Sequence, residues 1–155
     1  MEWLEGLYLS GSGIREVPSS IEHLTKLKRL ILHNYKNLRD LPDSIYKLQR
    51  LWELSTSTTK LRPMYNSFDS SFEGYETIIE LDLLMKPDYF PLLESLELVE
   101  TNIVTIPGSM SRFAPLKDLS IRNCKLFREI QGLPQSIRKF CVENCMLLDS
   151  ESPSY

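Results

Sequence analysis

Between Leu93 and Met110 the apolar residues Leu93, Leu96, Leu98, Ile103, Ile106 and Met110 are separated by steps of 3, 2, 5, 3 and 4. A strand alternates by 2 and an amphipathic helix steps by 3 or 4, so no single regular element buries all six. The same steps recur at the start of the chain, at Leu4, Leu7, Leu9, Ile14, Val17 and Ile21. The pattern predicts a short strand, then a loop and one helical turn. Every apolar residue then enters one core shared with the neighbouring unit.

Written as a template, the unit is L-x-x-L-x-L-x-x-N/C/T-x-L-x-x-L-P-x-S-I-x-x-L, and it is identified as a leucine-rich repeat. That identification implies an α/β solenoid, a horseshoe of about seven repeats. A parallel sheet lines its concave face, with loops and short helical turns outside. The predicted strand cores are Leu4-Leu7-Leu9, Leu27-Leu30-Leu32, Leu51-Leu54-Thr56, Ile78-Leu81-Leu83, Leu93-Leu96-Leu98, Leu116-Leu119-Ile121 and Ile137-Phe140-Val142. Their spacings are 23, 24, 27, 15, 23 and 21. The long third unit contains "YNSFDSSFEGYE" at 65–76, read as a loop leaving the repeat array. The short fourth unit leaves Tyr89 and Phe90 to plug its outer side. The repeat domain is therefore placed at 1–149, with an irregular insertion at about 65–76 and a tail at 150–155. The segments "VPSSIEHL", "LPDSIYKL" and "IPGSMSRF" each have room for one turn, with Ser20, Ser44 and Ser109 as candidate caps.

Alternation sends the residues between the leucines outward, in columns about 4.8 Å apart on a parallel stack. The middle column reads Tyr8, Ile31, Ser55, Asp82, Glu97, Ser120 and Cys141. Beside it run Gly6, Arg29, Glu53, Glu80, Ser95, Asp118 and Lys139 on one side, and Ser10, His33, Ser57, Leu84, Val99, Arg122 and Glu143 on the other. The centre is acidic and the last two strands mostly basic. A solvated face explains these charges. Apolar Tyr8, Ile31, Leu84 and Val99 on the same face favour a protein-binding surface, as concave solenoid faces commonly are. The candidate contacts are these four together with His33, Glu53, Asp82, Glu97, Arg122 and Lys139. The expected energetic centre is the fourth and fifth strands, where Asp82 would adjoin Glu97.

Composition narrows the chemistry. The chain has 155 residues, 42% hydrophobic and 25% charged, with a net charge of -3. This balance suits a folded domain and gives no general pull toward nucleic acid or an anionic membrane. No apolar run reaches membrane-spanning length, and "MEWLEGLYLS" lacks the basic start of a secretory signal. No Asn lies in an N-x-S/T sequon, and three cysteines make no disulfide framework. A reducing, intracellular setting is expected.

No phosphate-binding glycine motif is present, and His23 and His33 are the only histidines. Neither a catalytic residue, a metal ligand nor a cofactor is assigned, and an enzyme is not expected. An Asp82/Glu97 pair would arise from register alone, without implying a catalytic pocket. Cys124 and Cys145 occupy the inward N/C slot and are expected to be buried free thiols. Cys141 points outward near Arg138 and Lys139 and is expected to be the more reactive.

The combination of L-P-x-S-I-x-x-L with Cys in the N slot resembles plant intracellular immune receptors. So does the compressed ending "IRNCKLFREIQGLPQSIRKFCVENCMLL". The likeness is to the class with a TIR domain, a nucleotide-binding domain and then leucine-rich repeats, and it covers residues 3–149. It implies a cytoplasmic or nuclear recognition module. Its implied partners are proteins: a pathogen effector or host guardee, and the nucleotide-binding domain of the same receptor, which the repeats restrain. The alternative is a standalone intracellular scaffold, which would carry more even repeats. The lack of polar end covers suggests a piece of a longer receptor or a truncated product.

Overall fold

The structure is a computed structural model that describes residues 3–11, 13–33, 38, 41–57 and 88–146. Its strands, in chain order, are β1 (Gly6–Tyr8), β2 (Arg29–Leu32), β3 (Glu53–Thr56), β4 (Ser95–Val99), β5 (Thr105–Ile106), β6 (Asp118–Arg122), β7 (Glu129–Ile130) and β8 (Lys139–Glu143). Six of them form one parallel sheet in the order β1-β2-β3-β4-β6-β8, and β5 pairs with β7 in a second. Apart from three short helical turns, the described structure is parallel sheet and connecting segments.

The register follows the repeat. Leu7, Leu30, Leu54, Leu96, Leu119 and Phe140 are successive partners across the large sheet. The second inward row is Leu32, Thr56, Leu98, Ile121 and Val142. These rows and the return segments close one core, with Ile103, Ile106, Met110, Phe113 and Phe127 entering from outside the large sheet. Each strand entry repeats one hydrogen-bond device, in which two successive amides share a carbonyl of the preceding strand. Lys28 and Arg29 donate to Glu5, Trp52 and Glu53 to Lys28, Glu94 and Ser95 to Trp52, and Lys117 and Asp118 to Glu94. After β4, β6 and β8 the chain turns through a left-handed residue: Glu100, Asn123 and Asn144, with φ of 53°, 54° and 52°. Asn accepts this region readily, whereas Glu100 bears more strain.

The outer turns are 3-10 helices, Ser19–His23, Asp43–Lys47 and Gly108–Arg112. Their length matches the single turn expected, but the serines do not cap them. The caps are Pro18, Pro42 and Pro107, none with a side-chain cap bond. Each Pro carbonyl accepts the amide of Ile21, Ile45 or Met110. This places Ser20, Ser44 and Ser109 inside the turn, two positions past its cap. Ser44 is buried, and its Oγ has no hydrogen-bond partner among the described residues.

A second correction concerns strand order. Glu53 pairs with Ser95, and Ser55 with Glu97, so β4 lies directly against β3. Among the described residues the large sheet has six strands, and the strand expected at 78–83 falls outside them. Ile78, Leu81, Leu83, Glu80, Asp82, Leu84 and the 65–76 insertion lie outside the described residues. The plug does form: Phe90 is buried, and Tyr89 stacks on Tyr46 with ring centroids 4.1 Å apart. Burial pushes the Tyr46 phenol far up from its ordinary value. The last strand is less covered than its pattern implies. Phe140 occupies an inward position yet is 37% exposed, because no described strand follows β8.

Candidate partner-binding face

The face of the large sheet opposite the core carries the three predicted columns. Tyr8, Ile31, Ser55, Glu97, Ser120 and Cys141 are in register, as are Gly6, Arg29, Glu53, Ser95, Asp118 and Lys139. Val99, Arg122 and Glu143 continue the third column. Eight of the ten candidate contacts are therefore on the described face. The other two, Asp82 and Leu84, lie outside the described residues. The strand neighbours of Glu97 are Ser55 and Ser120, where Asp82 was expected on one side.

Glu97 is instead the centre of a polar chain. Ser55 Oγ donates to Glu97 Oε2 at 2.7 Å, and His33 Nε2 lies 3.1 Å from Ser55 Oγ and 3.5 Å from Glu97 Oε2. A serine has one hydroxyl proton. With that proton given to Glu97, Nε2 of His33 is the nitrogen that carries hydrogen. Arg122 Nη1 approaches Glu97 Oε1 at 3.2 Å, and its Nε approaches Glu143 at 3.4 Å. The chain ends at Cys141, whose thiol donates to Glu143 Oε1 at 3.1 Å. Among the described acids of the centre read from the sequence, Glu53, Glu94 and Glu97 are each compensated by a cation on a neighbouring rung. Ser55, Glu97, Ser120, Arg122 and Lys139 line a shallow groove of about 260 Å³ here. Ser120 Oγ is buried and has no hydrogen-bond partner among the described residues.

The β1–β3 end differs in character. The Arg29 guanidinium lies 5.4 Å from the Tyr8 ring centroid and 5.5 Å from that of Trp52, and it is ion-paired to Glu53. Gly6 makes room for this arrangement, since a Cβ there would sit 2.8 Å from the Tyr8 ring. Tyr8 is 54% exposed and Trp52 37%. Along the strand entries, Lys28 pairs with Glu5 at 2.8 Å and Lys117 with Glu94 at 2.6 Å. Sequence reasoning chose Tyr8 and Glu53 but missed Arg29 and Trp52. Trp52 precedes the outward positions of the template, and its proximity to Arg29 follows only from the β2–β3 register.

The cysteine assignments hold in part. Cys124 is fully buried, hydrogen-bonded to Thr101 at 3.3 Å, and burial pushes its thiol up. Cys145 occupies the equivalent slot but is only half-buried, because β8 is the last described strand. Cys141 is not activated by nearby bases. Its bond to Glu143 stabilises the thiol form and raises its pKa. Replacing Glu143 with Gln should therefore lower that pKa and speed alkylation of Cys141 at slightly alkaline pH. Unchanged or slower labelling, followed by mass spectrometry, would contradict the assigned bond.

Among the described residues no group of three or more His, Cys, Asp or Glu is placed to hold a metal ion. Nor is any helix there long and apolar enough to cross a membrane.

No family model matches the chain. Relatives covering nearly all of it, at 23–27% identity, are plant disease resistance or disease resistance-like proteins. A putative disease resistance protein of Arabidopsis thaliana is 26% identical over 157 residues, covering 100% of this chain and 12% of that protein. Disease resistance protein RPS4 of Arabidopsis thaliana is 25% identical over 150 residues, covering 96% of this chain and 12% of its own length. TMV resistance protein N of Nicotiana glutinosa is 50% identical over 52 residues, 33% of this chain and 4% of that protein. The chain thus spans about an eighth of the first relatives' length.

Proposed function

We propose that the chain is a leucine-rich-repeat horseshoe serving as the protein-recognition module of a plant innate immune receptor of the TIR type. In this reading its concave face senses a pathogen effector or a modified host protein, in the cytoplasm or nucleus. Contact with the nucleotide-binding domain of the same receptor restrains activation until that partner binds. The module works by binding, without catalysis or a cofactor.

One observation carries the reading. The inward positions repeat across six in-register strands, whereas the outward columns hold unrelated side chains, from Tyr8 and Ile31 to Glu97 and Lys139. A fold that keeps its core and varies one face presents a recognition surface. The immune relatives give that surface its context.

The test is an exchange of surfaces within a full-length receptor. Outward residues of β1–β4 and β6 are swapped with those of a relative that answers a different effector, and cell death is scored in leaves. Specificity should follow the swapped face. If it follows the outer turns instead, or follows neither surface, the recognition reading fails.

A further inference from the structure

Cys124 and Cys145 stand on neighbouring rungs, and we propose that they form a peroxide-sensitive dithiol that closes to a disulfide between the last two strands. The pairing of Arg122 with Glu143 at the ends of β6 and β8 fixes the rungs. Two residues later the two cysteines occupy the same slot. Their thiols make equivalent contacts: Cys124 Sγ with Leu98 O at 3.7 Å, and Cys145 Sγ with Ile121 O at 3.6 Å. Leu98 and Ile121 are themselves register partners, so each thiol points back toward the rung before it. Asn144 Nδ2 donates to Asn123 Oδ1 at 3.2 Å, which shows adjacent turn residues of these rungs in side-chain contact.

Strands about 4.8 Å apart place paired Cα atoms within the range a disulfide spans. Cys141 is on the opposite face of β8, one of the groove-lining residues, and cannot reach this slot.

Exposure sets the order of events. Cys145 is half-buried and Cys124 is enclosed. The Cys145 thiolate attacks one oxygen of a hydroperoxide, giving a sulfenic acid and one water or alcohol. The Cys124 thiol then attacks that sulfur, losing its proton as the sulfenic hydroxyl leaves as water. The two thiols supply the two electrons that reduce the peroxide. Each step needs only a hydroperoxide from outside, and a dithiol reductant reverses the product.

The folded chain is treated with hydrogen peroxide, blocked with an alkylating reagent and digested with trypsin and a glutamyl protease. Cleavage after Glu143 separates Cys141 from Cys145. A Cys124–Cys145 cross-link should dominate, persist in Cys141→Ser and vanish in Cys145→Ser. In Cys124→Ser a sulfenic acid at Cys145 should become trappable by a dione probe. Cys145→Ser lies at the half-buried end, so its comparison with the parent chain survives even if Cys124→Ser does not fold. A dominant cross-link through Cys141, or a stable Cys145 sulfenic acid in the parent chain, overturns the proposal. So does oxidation of Cys141 alone.

Discussion

Leu96→Ala should lower the free energy of unfolding by about 3 to 5 kcal/mol, the upper part of the range for deleting a buried leucine. Leu96 is 1% exposed and lies in the central strand β4, with Leu54 and Leu119 as partners on either side. A cavity there is walled by sheet on both flanks, so little can collapse into it. Small domains have a net stability of about 5 to 15 kcal/mol, so this one change consumes a large part of it. Leu7→Ala, in the end strand β1 and only half-buried, should cost less than half as much. Urea titration followed by circular dichroism measures both. Equal costs would mean that the sheet centre does not control stability, contrary to the buried row seen here.

The uneven steps between apolar residues revealed the six strands of the large sheet, their parallel direction and the single outer turn. They did so because each inward position must fill the same slot on every rung. Which strand core stands beside which was less legible. Ile78, Leu81 and Leu83 fit the template as letters between β3 and β4, but strand pairing is a long-range choice, and β3 pairs directly with β4. The capping serines failed because Pro18, Pro42 and Pro107 already take the cap position, a two-residue shift that pattern alone leaves open. On the exposed face the columns were legible, but their electrostatics were not. Glu97 looks like an unpaired acid in sequence, and its compensation by Arg122 comes from a residue 25 positions away. The half-exposed Phe140 and Cys145 show a further limit. A repeat template treats every unit as internal, whereas burial depends on what stands beside it.

That compensation moves the expected binding centre away from Glu97 and toward β1–β3. If the exposed face engages a protein partner, Trp52→Ala should weaken the complex by about 2 kcal/mol, roughly thirtyfold. Trp52 and Tyr8 expose ring surface on either side of Arg29, which Glu53 holds in place. Rings already oriented lose little rotamer freedom on binding, and covering them removes apolar area from water. Glu97 is differently placed. A partner cation would have to compete with Arg122, His33 and the Ser55 hydroxyl for its carboxylate. Glu97→Gln keeps the shape and should change affinity by less than tenfold. Both variants should retain the parent far-UV circular dichroism, since Trp52 is partly exposed and Glu97 is on the face opposite the core. Titration calorimetry with a partner identified by the surface exchange compares them directly. A larger loss from Glu97→Gln than from Trp52→Ala would return the centre to the acidic strands and leave the aromatic–arginine cluster as a local brace for β1.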